Sequence, residues 1–197
     1  MCIICISEKG AKQPDKATLR RMFEANPDGA GFMFCKGGRV HISKGYMNFS
    51  EFWQAVRSAG FTENDVTVYH FRISTQAGVQ PSMTQPFPLT NELKNTKALD
   101  CITDLGIAHN GIIRAYSDPT DREYSDTAHF VAEALSGLVQ SPKDLNKDFL
   151  EAVSDFAGGS RFCFLDKAGR IFRAGRWIKD GGLWYSNYSY LPLRRAM

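Results

Sequence analysis

Short apolar, β-branched runs closed by glycine turns stand at both ends of this chain, and two stretches of helical period lie side by side between them. Strands that arrive in hairpins early and late, with adjacent helices in the middle, do not read as the alternating βαβ units of a parallel sheet. The pattern predicts an α+β layering of mostly antiparallel sheets. Residues 2–6 read as a buried strand, 32–35 and 39–42 as a hairpin across Gly37-Gly38, and 66–72 as a further strand. Residues 106–109 lead into Asn110-Gly111 with Ile112-Ile113 leading out, the strongest short hairpin signal. Residues 161–165 and 170–174 pair across a turn, and 183–185 add a last strand. Asp15 is placed to cap a helix carrying Leu19, Met22 and Phe23 inward, and Ser50 one running through Phe52, Trp53 and Val56. Ser125 or Asp126 starts a helix through Phe130, Val131, Ala134, Leu135 and Leu138. Another, over 144–156, keeps Leu145, Phe149, Leu150 and Val153 on one face. Residues 76–98, rich in Pro, Thr, Asn and Gln, read as a long loop of the kind that covers functional sites.

Composition narrows the partners. With 197 residues, 43% of them hydrophobic, the chain supports one well-buried core, and residues 1–197 read as a single domain. Its 24 basic and 21 acidic residues are scattered, which excludes a nucleic-acid stripe or a polybasic membrane patch. Arg194-Arg195, the one dense basic spot, reads as a solvated tail, and His41 as a solvent-facing strand residue. The apolar start stops at Ser7-Glu8-Lys9, too short for an export signal, so the expected compartment is the cytoplasm. Five irregularly spaced cysteines make a poor disulfide framework. Cys2 and Cys5 are three apart on a strand and point to opposite faces, so no metal or cofactor is expected.

The chemistry-bearing residues gather at strand ends. The strand over 66–72 delivers Arg72, then Ser74 and Thr75, to a loop, and a guanidinium there offers the rigid fork that captures a carboxylate. Removal of Met1, favoured before a small side chain, would leave Cys2 with a free α-amine beside its thiol, a self-contained nucleophile and base. The bland alternative is a buried strand cysteine. The Asn110 side chain and the Gly111 N–H could converge on an oxyanion, or simply form a turn. Asp126 is either a helix cap or a carboxylate for a ligand's ammonium.

Six pieces in order resemble a class II glutamine amidotransferase domain, the N-terminal-cysteine branch of the Ntn-hydrolase superfamily. They are Met1-Cys2-Ile3-Ile4, Asn26-Pro27-Asp28-Gly29-Ala30-Gly31, His70-Phe71-Arg72-Ile73-Ser74-Thr75, Gln85-Pro86-Phe87, Ala108-His109-Asn110-Gly111-Ile112-Ile113 and Ser125-Asp126-Thr127. The resemblance implies a four-layer αββα sandwich in which Cys2 attacks the side-chain amide of L-glutamine. It further implies that Arg72 holds the α-carboxylate, Asp126 the α-ammonium, Asn110 and Gly111 the oxyanion, and Thr75 the substrate's flank. The chain departs from the family's habit at Ile3, Ile73 and Gln85, where glycine, tryptophan and histidine are common, and no departure removes a chemical group.

Full-length amidotransferases carry a synthase domain after this one, and the chain as read has no room for it. The expectation is therefore a glutaminase feeding ammonia to a separately encoded acceptor enzyme. The alternatives are a hydrolase of another γ-glutamyl amide, or a non-catalytic module that keeps Met1. The tail aromatics Trp184, Tyr185, Tyr188 and Tyr190 are a candidate docking surface, against the plainer reading of a last strand packed on the core.

Overall fold

A computed structural model describes residues 1–74 and 78–192. Thr75, Gln76 and the Arg194-Arg195 pair lie outside the described residues. Eleven strands among those described form two sheets in which every pairing is antiparallel. The larger contains β1 (Ile3–Ser7), β2 (Ala30–Lys36), β3 (Arg39–Tyr46), β4 (Thr67–Phe71), β6 (Asp100–Thr103), β10 (Ile178–Asp180) and β11 (Leu183–Tyr185), in the order β10-β11-β1-β4-β2-β3-β6. The smaller contains β5 (Phe87–Pro88), β7 (Leu105–Asn110), β8 (Arg161–Asp166) and β9 (Ile171–Ala174), in the order β5-β7-β8-β9.

Strand alternation sorts the core into layers. On one face of the large sheet, Ile3, Cys5, Phe32, Tyr69 and Phe71 pack against helices α1 (Lys16–Ala25) and α2 (Phe49–Ala59). On its other face, Ile4, Ile6, Met33 and Val68 meet Ala108, Cys163 and Leu165 of the small sheet. The small sheet's far face, with Ile107, Phe162 and Phe164, is covered by α3 (Asp126–Phe130) and α5 (Lys147–Phe156). Between these two helices the chain runs through a π-helical stretch over Val131–Leu135 into the single turn α4 (Ser136–Leu138). The result is the four-layer αββα sandwich of mostly antiparallel sheets that the resemblance implied. The Cys2/Cys5 pair is split as expected, because Cys5 belongs to the helix-side core.

Several boundaries moved for identifiable reasons. Helix α2 is capped by Asn48, whose side chain accepts from Glu51 N–H at 2.9 Å, rather than by Ser50; starting two residues earlier brings Phe49 against the core. Asn146 caps α5 by accepting from Phe149 N–H at 3.0 Å, so that helix starts later than 144. The Asn110-Gly111 pair does not make a hairpin. Strand β7 already has β5 on one side and β8 on the other, so Ile112-Ile113 has no free edge to return along. Instead Ile113 sinks into the core and the chain makes a one-turn 3-10 helix over Arg114–Tyr116.

The segment read as a covering loop is also more structured than its composition suggests. Past residue 77 it holds 3-10 turns over Pro81–Met83 and Leu93–Lys97 and strand β5, with Met83, Thr84, Gln85 and Phe87 buried. Lys44 pins it to the large sheet. Its buried Nζ donates to the carbonyls of Ser82 (2.9 Å) and Thr96 (2.6 Å) and sits 4.2 Å from the centre of the Phe87 ring.

Candidate active site

The antiparallel register of β1 on β4 sets Ile3 opposite Phe71. One residue further, Cys2 at the head of β1 therefore falls beside Arg72 at the tail of β4. The sulfur of Cys2 accepts from Ile73 N–H at 3.4 Å and lies 3.6 Å from the Ile73 carbonyl oxygen. Burial pushes this thiol up, against the opposing pull of the Ile73 contact, the Arg72 guanidinium and the chain's terminal charge. Asn187, just past β11, holds the other side of the residue by donating from Nδ2 to the Cys2 carbonyl at 2.6 Å.

Arg72 is only 5% exposed. Its backbone is fixed by the 26–31 turn: its N–H donates to Gly29 O (2.8 Å), and its carbonyl accepts from Asp28 N–H (3.0 Å). The guanidinium donates from Nη1 to Gly78 O at 2.8 Å and is pulled below its ordinary range by burial, a shift that Cys2, Asp28 and Asp126 oppose. The sequence reading passed over Asp28 as a turn residue, yet it contributes negative charge here and accepts from Ser74 N–H at 2.8 Å.

The small sheet reaches the same place from below. His70 Nε2 lies 3.2 Å from His109 O, so the tail of β4 stands directly over the tail of β7. The His109 N–H donates to Gln85 Oε1 at 2.6 Å, and its Nδ1 is bridged to Thr127 Oγ1 at 2.8 Å. Thr127 Oγ1 in turn donates to Asp126 Oδ1 at 3.2 Å, which makes it the acceptor for His109 Nδ1–H and leaves Nε2 as a bare lone pair. Burial holds both histidines neutral, their pKa values lowered to about 3. Asp126, at the first turn of α3, is buried; its Oδ2 accepts from Ile113 N–H (2.6 Å) and its Oδ1 from Thr127 N–H (2.7 Å). Burial raises its carboxyl, and these hydrogen bonds and the Arg72 charge hold it down. The helix cap is Ser125, whose hydroxyl accepts from Ala128 N–H at 3.2 Å, so Asp126 does not serve that role.

Asn110 and Gly111 close the site. Asn110 is paired with Arg161, and Gly111 lies just beyond the last paired position of β7. No larger residue fits at 111, because an added Cβ would stand 1.8 Å from Ser160 Oγ. In one orientation of the amide, Asn110 Nδ2 lies 2.8 Å from Ser186 Oγ, and Oδ1 is buried and without a partner among the described residues. Counting donors and acceptors selects the opposite orientation of this amide. Ser186 Oγ already accepts from Ile4 N–H at 2.8 Å, so its own proton needs an acceptor. With the amide turned over, Oδ1 takes that proton and Nδ2 becomes a buried donor without an acceptor among the described residues.

Five of the six sequence-derived residues thus sit around two adjoining cavities. A small one, about 60 Å³, is lined by Met1, Cys2, Arg72, Gly111 and Asp126 among others. A larger one, about 450 Å³, is lined by Met1, Asn110, Gly111, Ile112 and Ser160 among others. Met1, Gly111 and Ile112 belong to both. Thr75 lies outside the described residues. The sequence reading missed Asp28, Gln85, Thr127, Ser186 and Asn187; Gln85, Thr127 and Asp28 stood inside quoted motifs, whereas nothing near Ser186-Asn187 signals a site. The tail aromatics are mostly not a surface. Tyr185 and Tyr190 are buried and stacked at 3.8 Å, and Tyr188 alone of the four is largely exposed.

Fold and site together define a two-sheet αββα sandwich with a cysteine heading one strand, an arginine ending its neighbour and a buried carboxylate across the cavity. No protein-family model matches the chain, and no curated protein matches it. Among solved structures it is similar to glutamine phosphoribosylpyrophosphate (PRPP) amidotransferase from B. subtilis, complexed with ADP and GMP, at a TM-score of 0.49 and 16% identity over 85% of this chain. The match covers 35% of that protein's chain. The functional reading therefore rests on the chemistry of the cavity. Among the described residues no helix is long and apolar enough to cross a membrane, and no cluster of His, Cys, Asp or Glu could hold a metal ion.

Proposed function

We propose that this chain is an N-terminal-cysteine amidohydrolase that cleaves the side-chain amide of L-glutamine or a related γ-glutamyl amide. The carrying observation is that Cys2, Arg72, Gly111 and Asp126, from four separate parts of the sequence, line one cavity. An α-amino acid head presents a carboxylate and an ammonium. The Arg72 fork suits the first and the buried Asp126 carboxylate the second. A γ-carbonyl held between them and Cys2 would put its oxygen toward the Gly111 N–H and the turned Asn110 Nδ2. Thr75 remains the proposed flank of the substrate.

The nucleophile requires loss of Met1. While Met1 is attached, the nitrogen of Cys2 is a peptide nitrogen with no basic lone pair, and the buried thiol stays protonated. A freed α-amine takes the thiol proton as sulfur attacks the carbonyl carbon of the γ-amide. Two donors stabilise the oxyanion, the protonated amine returns its proton to the departing nitrogen, and the C–N bond breaks. Water then adds to the γ-glutamyl thioester, giving glutamate and the free thiol. Where the leaving group is ammonia, a separately encoded acceptor enzyme must take it up before water protonates it; where it is an amine, none is needed. The five cysteines, all free thiols, accord with a reducing cytoplasm.

The test is ammonia release from glutamine by protein whose intact mass shows Met1 removed, beside Cys2→Ala. The variant should lose turnover and keep its melting temperature, since only a sulfur is deleted. Turnover at the native rate in Cys2→Ala refutes the nucleophile.

A further inference from the structure

A larger cavity opens beside the one that Cys2 lines. We infer that it is a leaving-group pocket and that the preferred substrates are γ-glutamyl dipeptides with an apolar second residue; this rests on the amidohydrolase reading above. A tetrahedral carbon at Cys2 carries four substituents. Sulfur is one, the oxyanion at Gly111 and Asn110 is another, and the glutamyl chain runs toward Arg72 and Asp126. The fourth, the amide nitrogen, must leave on the remaining side. Met1, Gly111 and Ile112 line both cavities, so the larger space adjoins the one that Cys2 lines. In the inferred pose, what the nitrogen carries extends past Ile112 into the adjoining space of about 450 Å³, a volume in the range of small-molecule sites and far beyond what ammonia occupies.

The lining of this space states what fits. Ile112 is 43% and Phe156 56% exposed, two of the few large apolar side chains left uncovered, and both face the cavity. Arg114 and Arg161 stand with them. Among the described residues neither guanidinium has a carboxylate partner; Arg161 spends Nε on Arg176 O at 3.2 Å. Apolar surface beside unpaired guanidinium groups matches an amino acid with an apolar side chain and a free α-carboxylate. Asp155 and the carbonyl end of α5 lie on the same cavity, where they favour the ammonium that the departing amino group becomes. The balance is the simple hydrolysis of one amide: sulfur bonds to the carbonyl carbon of the γ-amide, the C–N bond breaks, the amine leaves with the thiol's proton, and water releases glutamate.

The experiment compares kcat/KM for γ-glutamyl-leucine, γ-glutamyl-methylamide and glutamine, using Met1-free protein. γ-Glutamyl-leucine should exceed glutamine by at least tenfold, and γ-glutamyl-methylamide should stay near glutamine. Arg161→Gln and Arg114→Gln should each lower the ratio of γ-glutamyl-leucine to γ-glutamyl-methylamide turnover severalfold, and Phe156→Ser should do the same without touching a charge. Glutamine turned over as well as the dipeptide, or an unchanged ratio in all three variants, overturns the leaving-group pocket while the amidohydrolase reading stands. Failure to cleave any of the three compounds, with no alkylation of Cys2 by a diazoketone analogue of glutamine, overturns both.

Discussion

Gly111→Ala tests the link between packing and chemistry at its tightest point. The new methyl would stand 1.8 Å from Ser160 Oγ, 2.6 Å from Ser160 Cβ and 3.0 Å from His109 Nε2. Ordinary contact begins at 3.4 Å, so the methyl and the Ser160 side chain cannot both stay where they are. Ser160 cannot retreat freely, because it is buried and its hydroxyl donates to Ala157 O at 2.6 Å. Overpacking of this kind costs about 1–3 kcal/mol of stability. If residue 111 moves instead, its N–H leaves the oxyanion position, and loss of one such donor lowers kcat by about 10²–10³. Both effects should appear together in Gly111→Ala, read as the urea midpoint and as kcat on the best substrate. Removing the obstacle should reverse them. In the double variant with Ser160→Gly, the urea midpoint should recover except for about 1 kcal/mol, the contribution of the lost Ser160 hydrogen bond. Its kcat should return to within about tenfold, the same order as the Ser160→Gly control. A Gly111→Ala protein that is destabilised but keeps its kcat would refute the placement of the oxyanion. A kcat that stays low in the double variant would refute displacement by Ser160 as the cause.

Three further outcomes follow from the same geometry. Arg72→Lys keeps charge but loses the fork, so it should chiefly raise KM, by about 1–3 kcal/mol of lost charged hydrogen bonding; a loss confined to kcat would contradict a recognition role. A glutamine analogue carrying a diazoketone should alkylate Cys2 alone in Met1-free protein, since burial raises the Cys5 and Cys163 thiols out of reach and Cys35 and Cys101 lie outside the cavity. Peptide mapping that finds the adduct on another cysteine would move the site. His70 and His109 are held neutral in the fold with values of about 3, below the ordinary imidazole value of about 6.5. The unfolded chain therefore binds more protons between those limits, so stability is fully present above pH ~6.5 and is lost as pH falls toward 3. His70→Asn should flatten that dependence in denaturant titrations, and an unchanged slope would show that the imidazole is not the group responsible.

The sequence by itself determined the elements and their grouping. The short apolar runs of β1, β4, β7 and β8 and the helical period after Ser125 were legible because each is a property of one local segment. It also singled out Cys2, Arg72, Asn110, Gly111 and Asp126, each as a residue type whose chemistry needs a particular position at a strand or helix end. What only the tertiary structure decided is how those ends meet. The antiparallel register of Ile3 on Phe71 sets Cys2 beside Arg72, and the stacking of His70 over His109 sets both above Gly111. The Asn-Gly pair failed as a hairpin because both edges of β7 were already taken, a fact no local window contains. Ser186 and Asn187 reach the site across more than 180 residues by hydrogen bonds to Ile4 and Cys2, with no pattern around them to announce it. Periodicity is a property of one segment and survives in sequence; register, edge occupancy and the closing of a cavity between two sheets are properties of pairs of segments, and those are fixed only when the layers pack.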